Sequence, residues 1–471
     1  MHHTPIDRLI ESLGGAVNLA DGRLAVKDGL AAAAGMDGLV RQAVFGAPEI
    51  KAPARWLIGE TAQAMGIRPA SIHELYKAMG RGALKKWFTV PAMNLRMITY
   101  DSARAVFRAA RRIDAGAFIF EIARSEIVYT DQRPAEYVAV VLAAAVREGF
   151  RGPVFIQGDH FQASAKKYAA APEPEIRAIR DLIVEAVEAG FYNIDIDTST
   201  LVDLNRPTLD EQQRLNFERC AEFTRFIRGL EPRGVTVSVG GEIGEVGLKN
   251  SSPEDLDAFM KGFNAGRAGL EGISKISIQT GTSHGGVVMP DGSLAKVAID
   301  FDTLRLLSEK ARREYGMGGA VQHGASTLPE TAFHKFVEAK TCEVHLATAF
   351  QSLVMDHPAV PESLKNEIME WVKTNAADER KPKDTEAQFV YKSRKKAVGP
   401  FKQKFWDLPE EVRAAVGADL EKMFSFLFDQ LGIADSRETV KKFVTAPEIH
   451  RPLPAGGIAA DKSEDVSGLA D

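Results

Sequence analysis

Apolar residues along the chain follow two alternating spacings. Short runs rich in Val, Ile and Phe stand at Phe88–Asn94 (FTVPAMN), Ala117–Ile122 (AFIFEI), Pro153–Asp159 (PVFIQGD) and Tyr192–Asp197 (YNIDID). Others follow at Val235–Ile243 (VTVSVGGEI), Ser274–Thr280 (SKISIQT), Gly319–Gly324 (GAVQHG) and Cys342–Thr348 (CEVHLAT). Near-continuous apolar runs of this length suit strands buried on both faces of a parallel sheet. Between them, apolar residues recur at helical spacing over Ser102–Arg112, Ala135–Glu148, Glu173–Ala189, Leu209–Leu230, Pro253–Phe263, Phe301–Arg313 and Pro329–Ala339. The alternation predicts an α/β fold closed into a (β/α)8 TIM barrel, with an open doubly wound sheet as the competitor. No GxGxxG follows the first run, which counts against a dinucleotide-binding version of the open sheet.

The flanks have a different character. Residues 1–87 read as a helical N-terminal extension, with apolar periodicity at Ile6–Leu13, Leu39–Phe45 and Ala54–Met65 and no strong strand. The barrel occupies 88–357. Residues 358–451 form a charged, basic, helix-rich C-terminal extension, and 452–471, small and polar, read as a disordered tail. Within the extension, Tyr391–Lys396 and Gly399–Lys402 are basic with aromatic neighbours. That segment either reaches over a barrel mouth to hold a phosphate or is a solvated helix face.

Composition narrows the function classes. Of 471 residues, 45% are hydrophobic and 26% charged, enough for a large core. Lys and Arg total 59 against 64 Asp and Glu, a net charge of −5, so no global positive field would draw nucleic acid. The two cysteines, Cys220 and Cys342, form no CxxC pair, which excludes a disulfide framework and a cysteine zinc site. No run of about 18 apolar residues crosses a membrane, and Met1–Gly15 lacks the apolar core of a signal peptide. A cytoplasmic protein is expected.

The chemistry-bearing residues collect at strand ends, where a barrel places its active site. The third run closes on Gly158-Asp159-His160 and the fifth on Gly240-Gly241-Glu242. The sixth leads into Gly281-Thr282-Ser283-His284-Gly285, the seventh carries His323-Gly324-Ala325-Ser326, and the eighth carries His345 and Thr348. Imidazoles from three strand ends, His160, His284 and His323, match a catalytic zinc site, which uses three protein ligands and leaves one position open. His345 is a fourth candidate, as a ligand or as a residue packed behind the site. Asp159 is placed to act as a general acid or base. Asp195 and Asp197 share one strand face, and either orient a ligand histidine or bind arginines. The glycine loops 281–286 and 324–327 suit phosphate binding. No lysine ends a strand beside a carbonyl site: Lys275 stands at a strand start and Lys296 in a loop, which disfavours Schiff-base chemistry.

At these residues the sequence resembles the class II, zinc-dependent fructose-bisphosphate and tagatose-bisphosphate aldolases, over roughly Thr89 to Leu353. VPAMNLRMITYDSARAVFRAA, FIQGDH, GFYNIDIDTS, VSVGGEIGEVG, QTGTSHG, AVQHGAS and HLATAFQ carry the resemblance in order. It implies Zn2+ on His160, His284 and His323, with Glu242 able to approach the metal and a monovalent cation as a candidate second ion. It implies Asp159 as the acid/base group at the hydroxyl of the bond cleaved. Gly285, Ser326 and Thr348 would hold the phosphate of the ketone half, and Asn94 would line the site. It further implies a phosphorylated sugar substrate, fructose 1,6-bisphosphate first, and a homo-oligomeric dimer or tetramer. The sequence departs from the family at His345, where Asn is usual, and at Ala347. It departs again after the glutamate motif, where Gly247–Ser251 replaces an acidic loop. The proton-transferring carboxylate is then expected at Glu245, with Glu254 as the other candidate. Those departures keep open a tagatose bisphosphate or another acidic ketose as substrate. A metal hydrolase would need an HxH pair where the first strand reads VPAMN, and a non-catalytic barrel subunit would have lost the histidines.

Overall fold

A computed structural model describes residues 4–244, 249–281, 289, 299–454, 464, 466 and 469. The strands are β1 (Val17–Ala20), β2 (Arg23–Val26), β3 (Ile67–Ala70), β4 (Val90–Asn94), β5 (Ile119–Ala123) and β6 (Gly152–Gln162). They continue with β7 (Asn193–Asp197), β8 (Ser238–Glu242), β9 (Lys275–Ile278), β10 (Ala320–Gln322) and β11 (Glu343–Leu346). Strands β4 to β11 pair in parallel in sequence order; β11 returns to β4 through Glu343↔Val90 and His345↔Ala92, and β6 pairs with β7. The sheet is therefore the closed (β/α)8 barrel that the sequence predicts, and the open sheet is excluded. Each of the eight apolar runs overlaps one barrel strand. These strands are buried along their central residues, the burial that their lack of alternation anticipates.

The helices between them follow the predicted periodicity. Pro134–Arg147 and Pro172–Ala189 both start with proline at the first helical turn, where its missing N–H has no intrahelical partner to lose. Pro253–Gly266 starts with a capping box in which Ser252 and Asp255 satisfy each other's backbone donors. The Leu209–Leu230 region divides at Gln213, and Pro329–Ala339 is built of a 3-10 turn followed by the short helix His334–Glu338.

The N-terminal segment contains strands that periodicity alone does not reveal. β1 and β2 form a hairpin around Asp21-Gly22, both at positive φ, the conformation a two-residue turn needs to match strand twist. β3 lies parallel to the start of β6, through Ile67↔Gly152 and Ala70↔Phe155. Tyr76, fully buried, donates its hydroxyl to Glu343 inside the barrel. The N-terminal segment thus closes the end of the barrel opposite the strand C-termini.

The C-terminal segment wraps the outside. Helix Glu410–Gln430 packs on helix Thr99–Arg112, where Glu421 pairs with Arg108 and Arg112 at 2.6 Å each. Ser436 binds the segment to the barrel: its buried Oγ accepts from the backbone N–H of Gly116 (3.0 Å) and Ala117 (3.1 Å) at the entry to β5. Of the tail, Glu464 pairs with buried Arg124 at 2.6 Å. Among the described residues no helix is long and apolar enough to cross a membrane.

Replacing Ser436 with Ala would strand two buried backbone donors, so we expect a loss of about 1–3 kcal/mol. Urea unfolding would read this as a lower midpoint with an unchanged slope; an unmoved midpoint would show that this anchor does not hold the segment.

Candidate active site

The barrel interior carries charge in a layer below the mouth. Lys275, at the start of β9, is 1% exposed. Its Nζ lies 2.9 Å from Asp195 Oδ2, 2.5 Å from Glu343 Oε1 and 2.7 Å from Gln157 Oε1, joining β9, β7, β11 and β6 across the barrel. Burial alone would drive the ammonium towards neutrality, but Asp195 and Glu343 hold it protonated with a raised pKa. Lys275 in turn pulls Glu343 down to about 2 against burial, with His345 adding to the effect. Gly240 on β8 is forced by this cluster, because a Cβ there would sit 2.2 Å from Asp195 Oδ1 and 3.0 Å from Lys275 Cε. The lysine is thus a structural cation rather than an imine-forming amine.

Above this layer, β6 departs from regular pleating. Its register against β7 shifts between Gly158 and Phe161, and His160 adopts φ 39°, a left-handed conformation unusual for a side-chain-bearing residue. Alternation along a regular strand would send Asp159 and His160 to opposite faces. The bulge instead turns both inward, where each is 5% exposed. The bulge also needs Gly158, since a Cβ there would meet the Phe161 ring at 2.5 Å.

The bulge brings His160 onto β10's imidazole. His160 Nε2 lies 3.1 Å from His323 Nδ1, and Asp159 contributes a third donor atom, all within 4.8 Å of one another. Behind His160, Nδ1 lies 3.1 Å from Asp197 Oδ2 and 3.4 Å from Glu242 Oε2. Asp197 is itself fixed by Gln162 at 2.5 Å and Ser199 at 2.7 Å. Of the two readings of the β7 carboxylates, Asp197 therefore backs a histidine, while Asp195 binds a lysine rather than an arginine. His323 Nε2 contacts Ser277 Oγ at 2.9 Å, which leaves Nδ1 facing His160. A donor set of two imidazole nitrogens and a carboxylate, desolvated and mutually close, fits a divalent cation. Burial pushes Glu242 up to about 7, with Asp197 adding to the rise. Asp159 is held well below the usual carboxylate range by His160 and His345, which outweigh its burial.

His345 stands beside this group, its ring centroid 4.1 Å from that of His323. Nε2 is 2.6 Å from Glu343 Oε1 and Nδ1 faces Glu121 and Asp159. Glu121 is the residue that sequence reasoning passes over. A glutamate in the middle of the apolar run AFIFEI was the available signal.

The cavity above these groups is lined by the sequence candidates Asn94, Ser326 and Thr348 together with Arg96 and Gln351. Ser326 Oγ accepts from the Ala347 N–H at 2.8 Å. Asn94 donates to Glu126, which pairs with Arg96 at 2.5 Å. Tyr391, Lys392, Arg394 and Lys395 form the remaining wall. The basic segment thus borders this chain's own barrel mouth. Arg394 is held by Asp356 at 2.6 Å and its guanidinium lies 4.6 Å from the Tyr391 ring centroid. His284, Gly285 and Glu245 lie outside the described residues. Glu254 is exposed and Asp255 is engaged in its helix cap.

Buried imidazoles and carboxylates at the C-terminal mouth of a parallel barrel define a (β/α)8 protein of the enzyme type, with a donor set suited to a metal ion. The sequence model of the class-II fructose-bisphosphate aldolases matches residues 74–405, and the chain belongs to that family. No curated protein matches the sequence. Among solved structures, a glycerol-bound fructuronate-tagaturonate epimerase from Cohnella laeviribosi is 13% identical with a TM-score of 0.54, covering 89% of this chain and 90% of that one. A probable tagatose 6 phosphate kinase from Sinorhizobium meliloti 1021 is 17% identical with a TM-score of 0.50, covering 75% and 93%. A fructose-bisphosphate aldolase from Campylobacter jejuni is 18% identical with a TM-score of 0.45, covering 77% and 94%. At these identities the first two likenesses speak for the fold alone.

Lys275→Met would leave Asp195 and Glu343 as buried, uncompensated carboxylates. A loss on the order of 3–5 kcal/mol is expected, read by denaturant unfolding. A variant as stable as the parent would remove Lys275 from its structural role.

Proposed function

We propose that this protein is a zinc-dependent aldolase that reversibly cleaves a ketose bisphosphate, fructose 1,6-bisphosphate first, to dihydroxyacetone phosphate and an aldehyde phosphate. The observation that carries the proposal is the convergence of Asp159, His160 and His323 at the β6 bulge and the end of β10. His160 and His323 would hold the ion with His284 as the third imidazole, and Glu242 stands behind His160 where it can approach. When bound, zinc supplies a Lewis acid that polarises the ketose carbonyl, so that the carbon–carbon bond can break with its electron pair stabilised.

The side chains do the rest. Asp159, kept ionised, accepts the proton of the hydroxyl on the carbon that becomes the aldehyde. Asp197 fixes the His160 ring so that Nε2 faces the ion position. Ser326, Thr348 and Gly285 receive the phosphate of the ketone half, and Asn94 lines the wall beside it. Arg96, Arg394 and Lys395 offer positive charge for the other anionic group. Holding both ends fixes the reacting carbons against Asp159. Glu245 is the proposed donor that protonates the carbanion, with Glu254 as its alternative. The enzyme would work in the cytoplasm as a homo-oligomer.

A second reading, an aldolase for another phosphorylated or acidic ketose such as tagatose bisphosphate, draws on His345. An imidazole in place of the family's usual Asn changes the wall that meets the sugar. A non-catalytic barrel subunit is disfavoured by the retained histidines.

The test is cleavage of fructose 1,6-bisphosphate, tagatose 1,6-bisphosphate and a ketohexuronate by the purified enzyme before and after chelation. Turnover of a ketose bisphosphate, lost with EDTA and restored by Zn2+, is expected. Turnover unaffected by complete metal removal, or no cleavage of any of these sugars by the metal-replete enzyme, overturns the proposal. In the same assay, Asp159→Ala should lose roughly 10²–10⁴-fold in turnover while retaining an ion on the histidines. His323→Ala should lose that ion, and full zinc occupancy in this variant would remove His323 from the ligand set.

A further inference from the structure

Each close carboxylate–imidazole grouping in the barrel can be asked what its donor atoms serve. Asp195 and Glu343 beside His345 already enclose the Lys275 ammonium. Asp197 and Glu242 back the Nδ1 side of His160. Asp159 with His160 and His323 is the ion position of the proposed aldolase. One grouping is left over: Glu121, Asp159 and His345, whose donor atoms lie within 4.8 Å of one another.

The contacts in this last grouping are unlike the rest. His345 Nδ1 lies 3.0 Å from Glu121 Oε2 and 3.2 Å from Asp159 Oδ1. Neither approach has hydrogen-bond geometry: His345 Nδ1 and Asp159 Oδ1 are both buried without a hydrogen-bond partner. His345 and Asp159 are each 5% exposed and Glu121 is 1% exposed, so bulk water does not reach them freely. Glu343 sits 2.6 Å from the opposite ring nitrogen, Nε2, and can accept its proton, which turns the Nδ1 lone pair towards the two carboxylates. Two buried carboxylates and a ring nitrogen aimed at one point are stable together only with positive charge at that point, either a proton on Nδ1 or a bound cation. The carboxylate–histidine arrangement is the one that orients metal-binding imidazoles in general.

We propose that Glu121, Asp159 and His345 form a second divalent-cation site adjoining that of His160 and His323, Asp159 giving Oδ1 to it and keeping its other oxygen for the substrate hydroxyl. Asp159 Oδ1 is 3.8 Å from His160 Nε2 and 3.2 Å from His345 Nδ1, and the His323 and His345 rings are in contact. Centres with two ions typically hold them about 3.5–4 Å apart. The mixed oxygen and imidazole donors suit Mn2+, Co2+ or Zn2+ better than Ca2+. The second ion would neutralise the floor beneath an anionic sugar. This proposal rests on the aldolase reading only for the identity of the neighbouring ion.

The test is metal stoichiometry on the full chain, stripped and reloaded with Mn2+ or Zn2+ alone. About two ions per chain are expected, with Mn2+ giving an exchange-coupled paramagnetic resonance spectrum. Glu121→Gln and His345→Asn should each reduce this to about one uncoupled ion, with circular dichroism confirming a folded barrel. If one variant does not fold, the other and the wild-type spectrum still decide. A single uncoupled ion in the wild type, with chelation-sensitive ketose cleavage intact, overturns this proposal, makes His345 an imidazolium and leaves the aldolase reading standing. No bound ion and no cleavage overturn both.

Discussion

The ammonium of Lys275 between Asp195 and Glu343 is the constraint on which the rest of the barrel depends. A closed sheet of eight strands ordinarily fills its interior with apolar layers, whereas this interior places carboxylates from β5, β6, β7, β8 and β11 within a few ångströms of one another. Charges so buried persist only when paired and hydrogen-bonded. Lys275 supplies that pairing at the bottom, and the neighbours yield space for it: Gly240 gives up a side chain and Tyr76, from outside the barrel, donates to Glu343. The segment before β4 therefore belongs to the electrostatics of the interior as much as to its packing.

From this base the bulge in β6 becomes intelligible. A left-handed conformation at His160 costs on the order of 1–3 kcal/mol and persists only where surrounding contacts over-determine it. Those contacts are present: Asp197 on the Nδ1 side, His323 on the Nε2 side and the Phe161 ring seated over Gly158. What the strain achieves is two consecutive polar side chains on one face of a strand, which regular pleating forbids. Asp159 and His160 can then share one desolvated space, where the imidazoles lower Asp159 against its burial, while burial and Asp197 raise Glu242.

The fold was legible because buried parallel strands write themselves as unbroken apolar runs, and each of the eight runs overlaps one barrel strand. The site was legible only in part. Strand-end histidines and Asp159 stand out because glycines flank them at points where an apolar run stops. The β1–β2 hairpin was missed because its strands are four residues each, although Asp21-Gly22 was a readable turn signal. Glu121 and Arg96 were missed for another reason. Their partners, His345 and Gln351, lie more than two hundred residues away, so although the glutamate inside AFIFEI signalled a buried charge, nothing local showed what it would meet. The shared face of Asp159 and His160 is not legible from pleat alternation, since a bulge is a local register change that depends on the neighbouring strand.

Charge is graded along the barrel axis, and the grading limits what can bind. The floor is acidic, the middle layer is imidazole, and the rim carries Arg96, Arg394 and Lys395. An anionic sugar drawn in by the rim meets carboxylates at the depth where its reacting carbons must lie. Each unit of uncompensated negative charge there acts through a low dielectric and opposes binding far more than it would at the surface. The rim cannot offset this, because Arg96 and Arg394 are already paired with Glu126 and Asp356. Positive charge among Asp159, Glu121 and the histidines, as imidazolium or as a bound cation, would offset that cost. In the proposed aldolase, ligand affinity would therefore follow the charge held in the middle layer, with the basic segment of the C-terminal extension and the β6 bulge bounding the space in which that charge acts.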